Sequence, residues 1–439
     1  MLSLRYFIRL LNAFLARFKA VLLIGIFLGA LLFLALRFIG PLLWGTSIEK
    51  MGLTGRYHTD NLPNFILESV GDGLTKVNET GIVEPNLAKS WETPDKGKTW
   101  VFHLEDNIFW QDGKEVTSET INYQFSDVTI ERPDSKTIIF KLQDPFSPFP
   151  VVVSKPVFKK GLLGTGEWKV TKATIAGGFV QKLVLVDEEK NKKIYKFYPT
   201  EERAKTAYKL GKVNTLVNIF NPTPFDTWKT AEIIPEVDRG NVVAIFFNTQ
   251  DTLLSEKSIR QALVYAIEKD FEGERALSPI SPNSWAYNPQ VKSYSHDIGR
   301  AKDLLDDLPE EVKEILNIKL VTTPTLLPIA EKITQDWQKV GAKTTAQVYS
   351  GIPTDYQALL AVFDYPTDPD QYSIWHSIQE STNISHYQNP RIDKLLEDGR
   401  VELNLEERKK IYLNFQRFLV EDSPAAFLYH PISYKITRK

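Results

Sequence analysis

The run NVVAIFFNTQ, residues 241–250, separates two textures of sequence. Residues 242–247 are uncharged and dominated by β-branched and aromatic side chains, which predicts a buried strand. Upstream, TWVFHL (99–104), TIIFKL (137–142) and KLVLV (182–186) read as strands, set apart by the turn clusters DKGK, RPDSK and AGG. Downstream, apolar residues recur at helical spacing. In SIRQALVYAIEKD (258–270) they fall at Ile259, Leu263, Ala266 and Ile267, and similar stripes mark 299–308, 328–340, 392–399 and 406–420. NIKLVTT, a helix ending at Gly341 and AKTTAQVYS form a strand, helix, strand unit, which implies parallel pairing in an α/β lobe. The run at 241–250 is therefore the candidate crossing between a β-rich lobe and an α/β lobe, and AAFLYHPISYKI (425–436) closes the chain as a strand.

Two lobes agree with the size: 439 residues exceed one ordinary core, and 43% hydrophobic with 25% charged residues describe a globular body. A net charge of -2 lacks the basic excess that nucleic acid demands, so no nucleic-acid partner is expected. Zero cysteines exclude disulfides, thiolate catalysis and a lipidated cysteine. The six histidines are scattered without H-E-x-x-H spacing, so neither a metal nor a cofactor is expected. The glycines of GLLGTGEW (161–168) precede a strand rather than a helix and fit no phosphate loop; they predict a turn. The tract DEEKNKK (187–193) reads as a solvated hairpin tip.

Near the start, residues 20–36 carry no charge and as a helix would span roughly 25 Å. Arg5, Arg9, Arg17 and Lys19 precede them, and no acid appears until Glu49. The positive-inside rule then predicts a cytoplasmic tail over 1–19, a single membrane-spanning anchor over 20–44 and an extracytoplasmic remainder attached to the cell membrane. A cleaved signal peptide is the competing reading, disfavoured by the length of the apolar run and the lack of a small-x-small site.

DYPTDPDQYSIWHS, residues 364–377, concentrates aspartates, tyrosines, a tryptophan and a histidine. Its Tyr-Pro and Asp-Pro pairs place the acids on a loop before a short element around Ile374. The acids could be a glycosidase pair, a capping loop or a binding site. Two carboxylates on one turn rarely flank a sugar from opposite sides, which argues against the hydrolase.

Residues 73–125, from GLTKVNETGIVEPNLAKSWE through the strand TWVFHL to FWQDGKEVTSETINYQF, resemble the signature of the family 5 extracellular solute-binding proteins, the receptors of peptide, dipeptide and nickel ABC importers. GTGEWKV (164–170), FFNTQDTLLSEKSIRQALVYAIEKD (246–270), DPDQYSIWHS (368–377) and NISHYQNPRIDKLLEDGR (383–400) follow in the family's order. The resemblance implies a two-lobed, periplasmic-binding-protein-like α/β fold. The first lobe would cover 46–245 with 427–439 returning to it, and the second 246–426. The hinge would include Ala244, Phe247, Asn248 and Thr249, with a helix following W-x-DG. It implies a non-enzymatic, monomeric receptor that captures peptides or similar small solutes for an ABC permease and ATPase. A surface-anchored peptide chaperone or sensor is the alternative. A peptide receptor needs a carboxylate for the ammonium end and aromatic pockets for side chains. Asp368 or Asp370 would be the amine anchor and Trp375 a pocket wall, with Tyr372 and His376 in support; equally, Trp375 could be core and His376 a satisfied buried histidine. Arg260 and Trp91 read as scaffold.

Overall fold

A computed structural model describes residues 17–21, 24–25, 27–33, 46–349, 351 and 356–439. Among the described residues a twelve-stranded sheet is threaded by the last strand, Ala425–Arg438. The first part of that strand pairs with Asn241–Phe247, matching Val243 to Tyr429 and Phe246 to Ala425. The remainder pairs with Ala231–Val237, matching Val237 to Ile432 and Ala231 to Arg438. One continuous strand therefore belongs to two lobes, and it changes lobes between Tyr429 and Ile432.

In the first lobe, Ile48–Thr54 lies between two parallel neighbours, Lys192–Tyr198 and Thr215–Ile219. Phe179–Val186 and Lys169–Ala176 extend the sheet antiparallel. The acidic-basic tract is the tip of the hairpin joining Phe179–Val186 to Lys192–Tyr198. Helix Glu201–Lys209 bridges the two parallel strands; Thr200 caps its first turn, where Glu201 and Glu202 also complement the helix dipole. A satellite sheet of four antiparallel strands, Ala88–Glu92, Thr99–Leu104, Thr137–Lys141 and Thr129–Asp134, closes over Trp100, Phe102, Phe140 and Phe149. Alternate residues of Thr99–Leu104 are buried, as its sequence pattern requires.

The second lobe sets Asn241–Phe247 beside Ala358–Asp364, which runs parallel to Asn317–Thr322; that strand in turn is parallel to Lys343–Val348. The expected strand, helix, strand unit is completed by Leu327–Gln338, whose Trp337 lies against Phe247 and donates to the Leu263 carbonyl at 2.9 Å. The other stripes form Lys257–Ala266, Ile298–Asp306, Pro390–Val401 and Leu405–Asp422.

Two expectations are corrected. The crossing is not at 244–249: Ala244 pairs with Ala361 and Phe427, while Asn248 and Thr249 bond to Tyr356, Gln357, Ser385 and His386, all in the second lobe. The chain crosses at 238–240, between Ala231–Val237 and Asn241–Phe247, so the lobe boundary moves upstream from 245. An apolar run signals burial, and burial is greatest inside a lobe rather than at its edge. Second, the segment after W-x-DG is no helix; it makes a single turn at 117–120 before irregular chain. No helix among the described residues is long and apolar enough to cross a membrane. Residues 17–21, 24–25 and 27–33 are helical and exposed, and the rest of the expected tail and anchor lies outside the described residues.

Two signature motifs meet in the first lobe. The Gln111 side chain donates to the carbonyls of Val70, Gly166 and Trp168 at 3.2, 2.8 and 3.1 Å, joining W-x-DG to GTGEW. Gly164 is required by closeness, since a Cβ there would lie 2.0 Å from the Val70 carbonyl oxygen. Gly164→Ala should destabilise the domain by about 1–3 kcal/mol or more through overpacking. Denaturant unfolding with an unchanged midpoint would show that this junction yields.

Candidate functional site

The stretch 364–377 runs along the meeting of the two lobes. At its start, Tyr365 donates its backbone N–H to the Gly240 carbonyl in the crossing segment at 2.8 Å. The Tyr365 hydroxyl reaches the Ser278 carbonyl at 2.9 Å, and burial raises its pKa. Further along, the Thr367 carbonyl lies near Gly81 of the first lobe, whose neighbour Thr80 accepts from the Trp285 backbone at 2.7 Å. At the far end, Asp370 accepts from Arg400 at 3.1 Å. Arg400 lies over the rings of Tyr372 and Phe146, and its carbonyl accepts from the Ser147 backbone at 2.8 Å. Phe146 and Ser147 belong to the first lobe, so this end too is a lobe-to-lobe contact.

The three aspartates of the stretch differ in what they touch. Both oxygens of Asp368 are held by Arg408, at 2.8 and 2.5 Å, in a bidentate pair that is buried on both sides. Burial opposes the Arg408 cation, but Asp368 and Tyr412 outweigh it and hold the guanidinium pKa above its ordinary value. Asp370 caps the N–H of Tyr372 at 3.1 Å and is neutralised by Arg400; burial nevertheless pushes its carboxyl above the usual carboxylate range. Asp364, the last residue of Ala358–Asp364 and the partner of Asn241 in register, is exposed and has no ion pair among the described residues.

The aromatic members are built into the second lobe. Trp375 is 1% exposed, stacks on Phe246 and donates to Gln371 at 2.7 Å. It is a core residue rather than a pocket wall, because no face of the indole is left for a ligand. His376 stacks on Tyr372 at 4.1 Å; its Nδ1 accepts from the Ile378 backbone at 3.3 Å, leaving Nε2 to donate to Glu397 at 3.4 Å. Tyr372 alone of these rings is partly open, under Arg400.

The remaining motifs explain themselves as scaffold. Arg260 spends its guanidinium on the carbonyls of Leu254, Ser255 and Asp422 at 2.8, 2.8 and 2.7 Å, clamping the end of Leu405–Asp422. Tyr387 and Asn389 of HYQNP both reach Asp422, at 2.5 and 2.9 Å, and Asn389 caps Pro390–Val401. Trp91 stacks on Phe102 of the satellite sheet.

Two lobes sharing a pair of crossings, with a polar and aromatic stretch along their junction, define a solute-binding fold. A family model described as bacterial extracellular solute-binding proteins, family 5 Middle, matches residues 83–383, and the chain belongs to that family. It is similar to the oligopeptide-binding protein AppA of Bacillus subtilis, 23% identical over 475 residues that cover 89% of this chain and 86% of that protein. The solved structure of AppA in complex with a nonapeptide superposes with a TM-score of 0.67 at 20% identity, covering 90% of this chain and 95% of that one. The substrate-binding protein CtaP of Listeria monocytogenes gives 0.75 at 19% identity over 90% and 94% of the two chains. At these identities the likeness to solved structures carries the fold.

The Asp368–Arg408 pair is a structural element of the loop. Arg408→Met should cost about 3–5 kcal/mol of stability by leaving a buried carboxylate unpaired, and adding Asp368→Leu should recover much of it. Urea unfolding checks both; a neutral Arg408→Met would remove the pair from the scaffold.

Proposed function

We propose that this protein is a membrane-anchored, extracytoplasmic receptor that captures peptides or similar amine-bearing solutes for an ABC permease and ATPase. Membership of the family, the AppA likeness and the run of apolar side chains exposed between Phe18 and Phe33 support the reading. No element of it requires catalysis.

The observation that carries the ligand class is the division of labour among the aspartates. A ligand ammonium at Asp368 or Asp370 would have to displace Arg408 or Arg400. Asp364 asks for no such exchange. It stands unpaired at the crossing, where closing lobes would exclude water, and a carboxylate there gains a strong partner in an ammonium group. Asp364 is thus assigned as the amine anchor, with Tyr372 and the Asp370–Arg400 pair flanking the ligand's path and Trp375 and His376 supporting the loop from behind.

The test is calorimetry with peptide eluted from the purified protein and identified by mass spectrometry. Asp364→Asn should weaken binding by about 2–5 kcal/mol, since the ammonium loses its partner in a closed site. Its unfolding midpoint should stay at the wild-type value because the side chain is exposed. Unchanged affinity in Asp364→Asn, with loss in Asp370→Asn, would return the anchor to Asp370.

A further inference from the structure

The sheet of the first lobe has one face turned to a core of Met51, Leu53, Leu183, Leu185, Tyr195 and Phe197. Its opposite face, beyond the edge of helix Glu201–Lys209, carries charge of one sign. Strands Lys169–Ala176, Phe179–Val186 and Lys192–Tyr198 contain lysines at 169, 172, 182, 192, 193 and 196 and no aspartate or glutamate. Register gathers five cations on this face. Lys196 lies opposite Lys182 on one neighbour and Gly52 on the other, Lys192 lies opposite Ile48, and Lys172 and Lys50 are each two positions along the same sides. The Lys196 ammonium donates to the Lys212 carbonyl at 2.9 Å, and a cavity of about 420 Å³ opens between Lys182, Lys196, Lys212 and Arg203 of the helix.

No ion pair among the described residues neutralises this charge, although Asp187, Glu188 and Glu189 cluster at the adjoining hairpin tip. Among the described residues, none of Lys50, Lys172, Lys182, Lys192, Lys196 and Lys212 forms an ion pair. Glu201 and Glu202 are committed to the buried Lys205, and Glu49 lies on the core side with Met51 and Leu53. Asp187, at the hairpin tip with Glu188 and Glu189, holds Asn191. Burial and then the charges of Lys182, Lys50 and Lys212 lower the pKa of Lys196, whose electrostatic neighbours are all cations. In a chain of net charge -2 such a face is a local excess.

The position of the face supplies the partner. The chain enters the fold beside it: Lys192 donates its backbone N–H to the Ser47 carbonyl at 2.8 Å, and Ser47 donates to Asn191 at 3.0 Å. Only residues 45–47 separate this entry from the apolar segment 20–44, a reach of at most about 11 Å. Lys196 lies opposite Gly52, five residues beyond Ser47 and so about 16 Å further along the strand. We propose that this lysine face rests on the anionic phospholipid headgroups of the membrane that holds the anchor, so that the receptor is held in one orientation instead of swinging on its tether. The proposal builds on the anchored reading above. The chemistry is that of a juxtamembrane basic cluster, whose attraction to anionic lipid fades within a Debye length, about 10 Å at 0.1 M salt.

The chain has no cysteine, so a single introduced one reports its own position. Full-length protein bearing Thr174→Cys, which lies opposite Lys182, or Lys302→Cys in the second lobe, is labelled with a fluorophore. It is then reconstituted into phosphatidylcholine vesicles with or without phosphatidylglycerol, each containing a headgroup-attached quencher. The label at 174 should be quenched several-fold more in the anionic vesicles, and that excess should vanish in about 1 M salt, where the Debye length is about 3 Å. The label at 302 should respond to neither. Replacing Lys172, Lys182, Lys192 and Lys196 by Gln should reduce quenching at 174 to its level in neutral vesicles. Equal quenching at both positions, indifference to lipid charge, or no effect of the fourfold variant would overturn the proposal. So would release by inorganic phosphate beyond that caused by chloride at equal ionic strength, since the face would then be a site for the free anion. Flotation with the vesicles in high salt reports anchoring separately. A chain that fails to float sinks the anchor, while its preference for anionic over neutral vesicles still judges the face.

Discussion

The structure depends on one strand that serves two lobes. Ala425–Arg438 supplies backbone partners to Asn241–Phe247 with its first residues and to Ala231–Val237 with its last, so neither lobe completes its sheet without it. The second crossing, 238–240, is tied to the same place: Asp238 donates to the Pro431 carbonyl at 2.9 Å, and His430 bonds the Asn241 carbonyl at 2.8 Å. Pro431 lacks an N–H, which suits the point where the strand changes partners. Two adjacent crossings would let the lobes rotate about their common line without repacking either core, once the contacts of Thr80 with Trp285 and of Ser147 with Arg400 give way. The apolar clusters on each side belong to one lobe or the other.

That arrangement explains what was legible in the sequence. Helical stripes such as 258–270 and 406–420 depend on local periodicity; the second became Leu405–Asp422 and the first Lys257–Ala266, which stops four residues short with its cap at Ile267. The parallel unit around Leu327–Gln338 followed from alternation of elements. The crossing was misplaced because hydrophobicity reports depth, and the strand read as a boundary is the most buried of its lobe. Partners were the other hidden quantity. Asp368 and Asp370 look identical to Asp364 in the sequence, and only the fold brings Arg408 and Arg400, 40 and 30 residues away, onto two of the three. The helix expected after W-x-DG gave way to an irregular segment that packs Ile121 and Tyr123 into the satellite core.

The same distribution of partners shapes the proposed site. Arginines on the helices Leu405–Asp422 and Pro390–Val401 fix the acidic loop, and the Trp375 indole fixes it from below through Gln371. A loop held this way costs little further ordering when a ligand arrives. Its one unpaired carboxylate, Asp364, stands beside the crossing segment, opposite Asn241. Arg400 already links this loop to the opposite lobe through Phe146 and Ser147, and a ligand touching both lobes would shift the balance toward the arrangement in which it makes more contacts.

The lobes are expected to move as two bodies about the paired crossings and to close on solute. Because the chain has no cysteine, spin labels can be placed at Lys114 in the satellite and Lys302 in the second lobe, both exposed. The distance between them should be longer and more broadly distributed in the free protein, and should shorten to a single narrow population when eluted peptide is returned at saturation. One unchanged distance with and without bound peptide would contradict the account.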